Sequence, residues 1–187
     1  CNTKVDAIPE AVEYYMQEVA KITGREHHLF DYYGAPDADR VIILMGSGAD
    51  TTQETIDYLL SQGEKVGMIN VHLYRPFSAE HFLKAVPATC KKIAVMDRTK
   101  EPGAMGEPLY QDICSIYREK GIPMVIVGGR YGISSKDTTP GQILAVYENL
   151  KLDAPKTNFT IGIVDDVTNT SLDVTKEIET SPAGQTN

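Results

Sequence analysis

Strand-type and helix-type patterns alternate along the chain in a regular order. Five strands are predicted, at 40–45, 65–73, 92–96, 124–127 and 159–164, and the first and fourth are continuously apolar, as in strands covered on both faces. Between them apolar residues recur every three or four positions, which predicts helices that begin near residues 50, 78, 107 and 139. A similar stripe predicts an earlier helix at 9–24. Strands joined by single crossover helices indicate an α/β fold, a three-layer α/β/α sandwich around a mostly parallel, five-stranded sheet.

Short-range signals predict where several helices begin and end. Gly24 is a typical left-handed stop for the first helix. Thr139 and Gln142 have the spacing of a capping box, in which each side chain accepts a backbone N–H of the other residue. Asp50 and Gln53 imitate the same arrangement and predict a helix that begins at Asp50.

Residues 1–165 are predicted to form one domain, with the sheet and crossover helices at 40–165. The last segment, 166–187, is rich in Thr, Ser, Asp and Glu and has few apolar residues. This segment is predicted to be a partly disordered linker, or a strap that needs a following domain. Because the chain begins with Cys1 and ends on a polar segment, we expect it to be a piece of a longer protein.

Charge and composition exclude several classes of function. The formal net charge is −8 and the 18 basic residues are scattered, which argues against nucleic-acid binding. No apolar stretch approaches the ~20 residues of a membrane span. Three cysteines without a C-x-x-C pair indicate neither a disulfide framework nor a metal cluster, and they favour a reducing, cytoplasmic location. We therefore predict no metal ligand, no nucleic-acid partner and no membrane partner.

Glycine-rich loops follow the predicted strands, where open α/β sheets hold their ligands. Gly46, Ser47 and Gly48 occupy the position of a phosphate loop, but they lack the third glycine and the lysine of the known motifs. A capped turn is therefore favoured over a phosphate site. Lys100 and Arg130 are the other candidates for holding an anion.

Several residues near loops are predicted to contact a neighbouring domain. Close backbone approach at the glycines 128, 129 and 132 favours a neighbouring domain over a ligand. The aromatic residues at 30, 32 and 33 have a second interpretation, in which they cover the edge of this domain's own sheet. The interdomain-contact candidates are Phe30, Tyr32, Tyr33, Arg75, Phe77, Arg98, Arg130 and Tyr131.

No residue is predicted to be catalytic. No Ser or Cys stands with a histidine in a recognisable nucleophile motif. Ordinary surface or packing roles are predicted for the four histidines, His27, His28, His72 and His81.

A series of unusual phrases resembles one enzyme family. In order along the chain they are LFDYYGAPDA (29–38), GSGA (46–49), LYRPF (73–77), DRTKEPG (97–103), GEPLY (106–110), GGRYG (128–132) and GIVDDVT (162–168). Together they look like the second domain of pyruvate:ferredoxin (flavodoxin) oxidoreductases and span about three quarters of the chain. That domain is similar to the C-terminal domain of transketolases, which implies a mixed five-stranded sheet in which one strand can run antiparallel.

The resemblance implies a parent enzyme that oxidatively decarboxylates pyruvate on thiamine diphosphate and Mg²⁺. Such an enzyme passes electrons through [4Fe–4S] clusters to ferredoxin or flavodoxin, gives acetyl-CoA and CO₂, and forms a homodimer. The present sequence lacks the Gly-Asp-Gly motif of a thiamine site and the C-x-x-C-x-x-C run of a cluster site. The resemblance therefore implies no cofactor and no oxidoreductase activity for this piece alone.

Two functions follow as hypotheses. In the first, the domain is a non-catalytic scaffold that contacts other domains of the same polypeptide, and sparse internal partners for Arg75, Arg98 and Arg130 would support it. In the second, the domain binds a small anion such as the phosphates of CoA. An open pocket with backbone N–H groups near residues 46–49 would favour the second hypothesis, whereas a closed, side-chain-capped turn would exclude it.

Overall fold

A six-stranded sheet forms the centre of the molecule, in a computed structural model that describes residues 2–178. The strands are Phe30–Gly34 (β1), Arg40–Leu44 (β2), Val66–Val71 (β3), Lys92–Asp97 (β4), Val125–Arg130 (β5) and Phe159–Thr160 (β6). The helices are Asn2–Asp6 (α1), Ile8–Thr23 (α2), Gly48–Ser61 (α3), Ala79–Ala85 (α4), Pro108–Lys120 (α5) and Pro140–Lys151 (α6). A 3₁₀ turn covers Ile133–Ser135.

The strand order is β1-β3-β2-β4-β5-β6, and every pair is parallel except β1 with β3. The α/β sandwich and the mostly parallel sheet are thus confirmed, and so is the antiparallel strand. The predicted number of five strands is wrong, because the sequence pattern predicts no strand at residues 30–34, where β1 forms. An edge strand pairs on one side only, and β1 is half-covered along most of its length, so it lacks the continuous apolar run that identifies a central strand.

Both faces of the sheet are covered, as the apolar run of β2 predicts. Successive side chains of β2 point to opposite faces. Ile42 and Leu44 join a core cluster with α3 and α6, whereas Val41 and Ile43 join a second cluster with α4 and α5. The parallel strands therefore end at one edge of the sheet between two rigid layers, and the loops at that edge are held by packed elements.

Two of the three predicted helix signals are confirmed. Gly24 ends α2 in the left-handed conformation, and both reciprocal bonds of the capping box at Thr139 and Gln142 are present. The capping box at Asp50 is wrong. A left-handed Gly46 turns the chain earlier, so α3 begins at Gly48 and Asp50 lies in its first turn.

The end of the described chain folds back on its own domain. The predicted strand at 159–164 is wrong in length, since regular pairing stops at Thr160 and a left-handed Gly162 follows. Leu172 donates its backbone N–H to the Thr160 carbonyl, and Leu172 and Ile178 pack against the cluster beside α3 and α6. Residues 170–178 thus pack as a strap on this domain. The predicted connection of this segment to a following domain stays a prediction.

The rest of the predicted linker, 179–187, lies outside the described residues. A domain end at residue 165 stays a prediction. Among residues 2–178, no helix has the length and apolar character that crossing a membrane requires.

Candidate functional site

A crevice lies beyond the carboxyl ends of the paired strands β2 and β4, where the connections that follow them lead to opposite sides of the sheet. After β2 the chain crosses to β3 on one side, and after β4 it crosses to β5 on the other. In open α/β sheets such a reversal separates the loops and is the usual position of a ligand. The loops that border this crevice begin at Met45, Arg98 and Tyr131.

A cleft of about 250 Å³ lies in this crevice. It is lined by Ser47, Gly48, Thr51, Arg98, Tyr131, Lys136, Asp137 and Thr138. Ser47 is the N-cap residue of α3, and its side chain makes no capping hydrogen bond. The N-terminal N–H groups of a helix are unsatisfied by the helix itself. At the start of α3 the Ala49 N–H donates to the Gly46 carbonyl, and no side chain caps the others. The predicted closed, side-chain-capped turn is therefore wrong.

Two cations border the cleft. Arg98 and Lys136 are both exposed, and no residue in the described range accepts a hydrogen bond from either side chain or forms an ion pair with it. Arg98 packs over Gly132, where a Cβ atom would lie 2.8 Å from Nε. Asp137 is the only carboxylate among the lining residues. The cleft thus combines a helix N-terminus with two cationic side chains, an arrangement that favours an anion.

Arg130, a candidate for both ligand binding and interdomain contact, faces inwards. Its side chain is 4% exposed and forms an ion pair of 2.8 Å with Glu107, whose side chain is 7% exposed. The guanidinium also donates to Thr160 Oγ1 and to both the side-chain and backbone oxygens of Asn158. These partners occupy its donors, so Arg130 joins β5, β6 and the start of α5, and neither prediction for it fits this geometry.

The long loop between β4 and α5 is held by two buried carboxylates. Glu107 accepts the backbone N–H of Glu101, and Asp97 accepts the N–H groups of Leu109 and Tyr110 at the start of α5. Burial raises the pKa of Asp97, and the two backbone hydrogen bonds oppose that rise. Lys100 lies exposed on the same loop and does not line the cleft.

Two glycines inside β5, Gly128 and Gly129, accommodate side chains of this domain. A Cβ at Gly128 would lie 2.9 Å from the ring of Tyr110, and one at Gly129 would overlap the ring of Phe159. The predicted close approach is present, but its source is internal, which corrects the preference for a neighbouring domain.

Most of the other interdomain-contact candidates also pack inwards. Phe30 is buried and contacts the rings of Phe77 and Phe82. Tyr32 and Tyr33 are half-buried, and each packs against one of the two core clusters. These aromatic residues therefore cover their own sheet, the second of the two interpretations.

The two remaining candidates differ in their surroundings. Tyr131 is buried, and its hydroxyl donates to the Met45 carbonyl. Arg75 lies over the ring of Tyr74 and forms an ion pair of 2.8 Å with Asp112. Of the three arginines expected to have sparse partners, Arg98 alone meets that condition within the described residues.

An apolar face of α2 is exposed, and Tyr15 on this face contacts the ring of Tyr14, its neighbour on the same helix. The stripe on this helix divides into two parts. Val12 and Met16 pack against the domain, whereas Tyr15, Val19 and Ile22 are 67%, 53% and 86% exposed. The three residues stand at i, i+4 and i+7, so they form one face. The stripe is visible in the sequence, but only the packing shows which part is left uncovered.

Three potential metal ligands, which the sequence placed in separate elements, meet at the edge of the sheet. Asp31 Oδ2 lies 3.3 Å from His27 Nδ1 and 2.9 Å from His72 Nε2. Burial acts to raise the pKa of Asp31, but hydrogen bonds from His72 and His27 outweigh it and lower this pKa. Sequence spacing could not find this group, because residues 27 and 72 approach only when β1 pairs with β3.

The cysteines in the described range do not fit an iron–sulfur cluster, which requires four thiolates in most proteins. Cys90 is buried and Cys114 is half-buried. Burial raises the pKa of Cys90 to about 11 and raises that of Cys114 as well. Both shifts disfavour the thiolate, which is the form that binds metal.

A family model described as pyruvate:ferredoxin oxidoreductase core domain II matches residues 38–143, more than half of the 187 residues. The chain is 56% identical over 178 residues to pyruvate:ferredoxin oxidoreductase of Moorella thermoacetica. This alignment covers 95% of the present chain and 15% of that protein. It is 54% identical over 181 residues to pyruvate-flavodoxin oxidoreductase of Enterobacter agglomerans, covering 96% of this chain and 15% of that protein. The chain therefore spans about 15% of the length of these curated relatives.

Among solved structures, the chain is similar to a 2-oxoglutarate:ferredoxin oxidoreductase from Magnetococcus marinus with 2-oxoglutarate, coenzyme A and succinyl-CoA bound. The identity is 20% and the TM-score is 0.49, over 73% of this chain and 22% of that chain.

Proposed function

Because the chain belongs to the pyruvate:ferredoxin oxidoreductase family, as its core domain II, we propose that it is a scaffold domain that holds other domains of one long polypeptide in place. The parent enzyme would oxidatively decarboxylate pyruvate with CoA to acetyl-CoA and CO₂, and reduce ferredoxin or flavodoxin. We propose that the parent is a cytoplasmic homodimer. The names of the relatives support pyruvate as substrate and either carrier as electron acceptor.

The observation that carries the scaffold proposal is the exposed face of α2, formed by Tyr15, Val19 and Ile22. Contiguous apolar side chains on a helix surface mark a contact site, because their hydration costs free energy that burial would recover. The relatives extend far beyond this chain, so the polypeptide itself supplies candidate partners for this face. We therefore assign the face to another domain of the same chain.

Thiamine diphosphate, Mg²⁺ and the [4Fe–4S] clusters would be held by those other domains. The raised pKa values of buried Cys90 and half-buried Cys114 support this division for the clusters. In this proposal the domain contributes position and contact surface, and it performs no step of the reaction.

The test is association between the purified chain and the remainder of the parent polypeptide, produced separately. Calorimetry should detect saturable binding, and the Tyr15→Ser/Val19→Asn/Ile22→Asn variant should weaken it by at least ~100-fold, since three buried apolar contacts are removed. Leu152→Asn is the matched control, because Leu152 is an exposed apolar residue away from α2. Binding that the triple variant leaves unchanged would contradict the assignment. Release of CO₂ from pyruvate by the chain alone would contradict the scaffold proposal.

A second candidate function, binding of CoA phosphates, is favoured by the cleft between β2 and β4. Its support is the uncapped start of α3 beside Arg98 and Lys136. Of the predicted anion ligands, Ser47 and Gly48 line this cleft, whereas Gly46, Lys100 and Arg130 do not.

Titration calorimetry with CoA and with pantetheine, which has no phosphate, tests this second function. Saturable binding of CoA alone, weakened about tenfold by Arg98→Ala and unchanged by the control Lys100→Ala, would support it. The tenfold loss corresponds to one charge-assisted contact of about 1.4 kcal/mol. Absence of heat with CoA up to millimolar concentration would leave the scaffold as the function of this domain.

A further inference from the structure

The edge of the sheet carries a compact group of two imidazoles and one carboxylate, His27, Asp31 and His72. One ligand atom from each lies within 4.8 Å of the other two. The rings of His27 and His72 are 5.3 Å apart between centroids. All three side chains reach solvent, with 55%, 30% and 28% of their surfaces exposed. The group is therefore accessible to an ion from solution.

The fold fixes the relative positions of these residues. In the antiparallel pair β1–β3, Asp31 is opposite Asn70, so His72 lies diagonally across from Asp31 on the same face. His72 donates its backbone N–H to the Leu29 carbonyl, which extends the pairing to this end of the sheet. His27 comes from the loop that follows α2 and lies over the same face.

A backbone hydrogen bond also orients the Asp31 carboxylate. Asp31 Oδ1 accepts the backbone N–H of His28, so Oδ2 points towards the two imidazoles. A hydrogen bond to the free oxygen of a ligating carboxylate is the usual outer-shell support of a metal site.

The spacing of the ligand atoms suits a divalent ion. Zinc ligands lie about 2.0–2.1 Å from the metal, so adjacent ligand atoms are about 2.9–3.4 Å apart in octahedral or tetrahedral geometry. The two distances to Asp31 Oδ2, 2.9 and 3.3 Å, lie in this range. A modest rotation of the exposed His27 side chain would bring the two imidazole nitrogens to the same separation.

We propose that His27, Asp31 and His72 bind one divalent first-row transition metal ion, of the class of Zn²⁺ and Co²⁺, with water in the remaining coordination positions. Two imidazole nitrogens favour this class over Mg²⁺ and Ca²⁺, which prefer oxygen ligands. The bound ion connects the loop after α2 to the end of β3, and it stabilises the edge strand between them. This site lies apart from the cleft between β2 and β4 and does not depend on the proposed function.

Titration calorimetry of the full chain with Zn²⁺ tests the proposal. We expect one saturable site, with affinity at least ~10-fold weaker in Asp31→Asn and in His27→Gln, since each change removes a ligand. Asp31→Asn keeps the size of the side chain and the oxygen that accepts from His28. His27 is exposed on a loop, so its replacement leaves the fold intact. His81→Gln is the matched control, because His81 lies at the start of α4 with Ser78 as its partner.

Cobalt distinguishes these ligands from the cysteines. Co²⁺ at the proposed site should give d–d absorption bands without the intense thiolate-to-metal band in the near ultraviolet, and Asp31→Asn should remove them. No saturable binding of Zn²⁺ up to millimolar concentration would overturn the proposal. Binding that persists in both ligand variants, or that shows thiolate absorption, would also overturn it.

Discussion

Replacing Arg130 tests whether its buried ion pair with Glu107 stabilises the domain. In Arg130→Met the carboxylate of Glu107 stays buried and, among residues 2–178, keeps only the N–H of Glu101 as a partner. Removing one member of a buried ion pair costs about 3–5 kcal/mol, because the remaining charge is desolvated without compensation. The bonds to Thr160 and Asn158 are lost as well. We therefore expect the free energy of unfolding to fall by about 3–5 kcal/mol.

Urea unfolding measures this change. The chain contains no Trp, so far-UV circular dichroism and tyrosine fluorescence are the suitable signals. With a slope of about 2 kcal/mol per M, the midpoint should fall by about 2 M. The Arg130→Met/Glu107→Gln double variant buries no charge and should recover at least about 1 kcal/mol of the loss. Arg98→Met, at an exposed and unpaired arginine, should change stability by less than about 0.5 kcal/mol.

A fall of less than about 1 kcal/mol in Arg130→Met, or a double variant no more stable than the single one, would refute the reasoning. Either result would mean that the ion pair of Arg130 with Glu107 does not stabilise the domain. A ligand or a partner would then be the better explanation for this guanidinium.

Three further predictions concern the rest of the domain. Thr139→Ala removes the capping box of α6 and should cost about 1 kcal/mol in urea unfolding, whereas Thr139→Asp should restore most of it. Gly129→Ala would overlap a neighbouring aromatic ring and should destabilise the domain by about 1–3 kcal/mol, measured by thermal unfolding. Hydrogen bonds from Lys151 and Arg40 lower the pKa of Glu64. The contribution of Glu64 to the free energy of unfolding is therefore complete above the unfolded-state pKa of about 4.3, and it is lost as pH falls through the lower folded-state pKa. The stability advantage of wild type over Glu64→Gln should therefore shrink below about pH 4.3, and an advantage independent of pH between 3 and 6 would contradict this assignment.

The class of fold is predictable from the sequence, because local patterns carry that information. Central strands must be apolar on both faces, as in β2, and crossover helices must present one apolar stripe to the sheet. The capping box at Thr139 and the stop at Gly24 involve neighbours in the chain, so they too were predictable. Recognition of the family rested on longer phrases of the same local kind.

The positions of the charged and aromatic residues depend on how the elements pack together. The residues next to Arg130 in the sequence predict a loop position for it, but its partners Glu107 and Asn158 are 23 and 28 residues away in the chain. His27 and His72 belong to different elements and meet only through the antiparallel pairing of β1. Such contacts depend on how elements pack, and a local pattern does not encode distances between residues far apart in the chain. For this reason the layers of the domain were predictable from the sequence, and the cleft, the exposed face of α2 and the metal-ligand group were not.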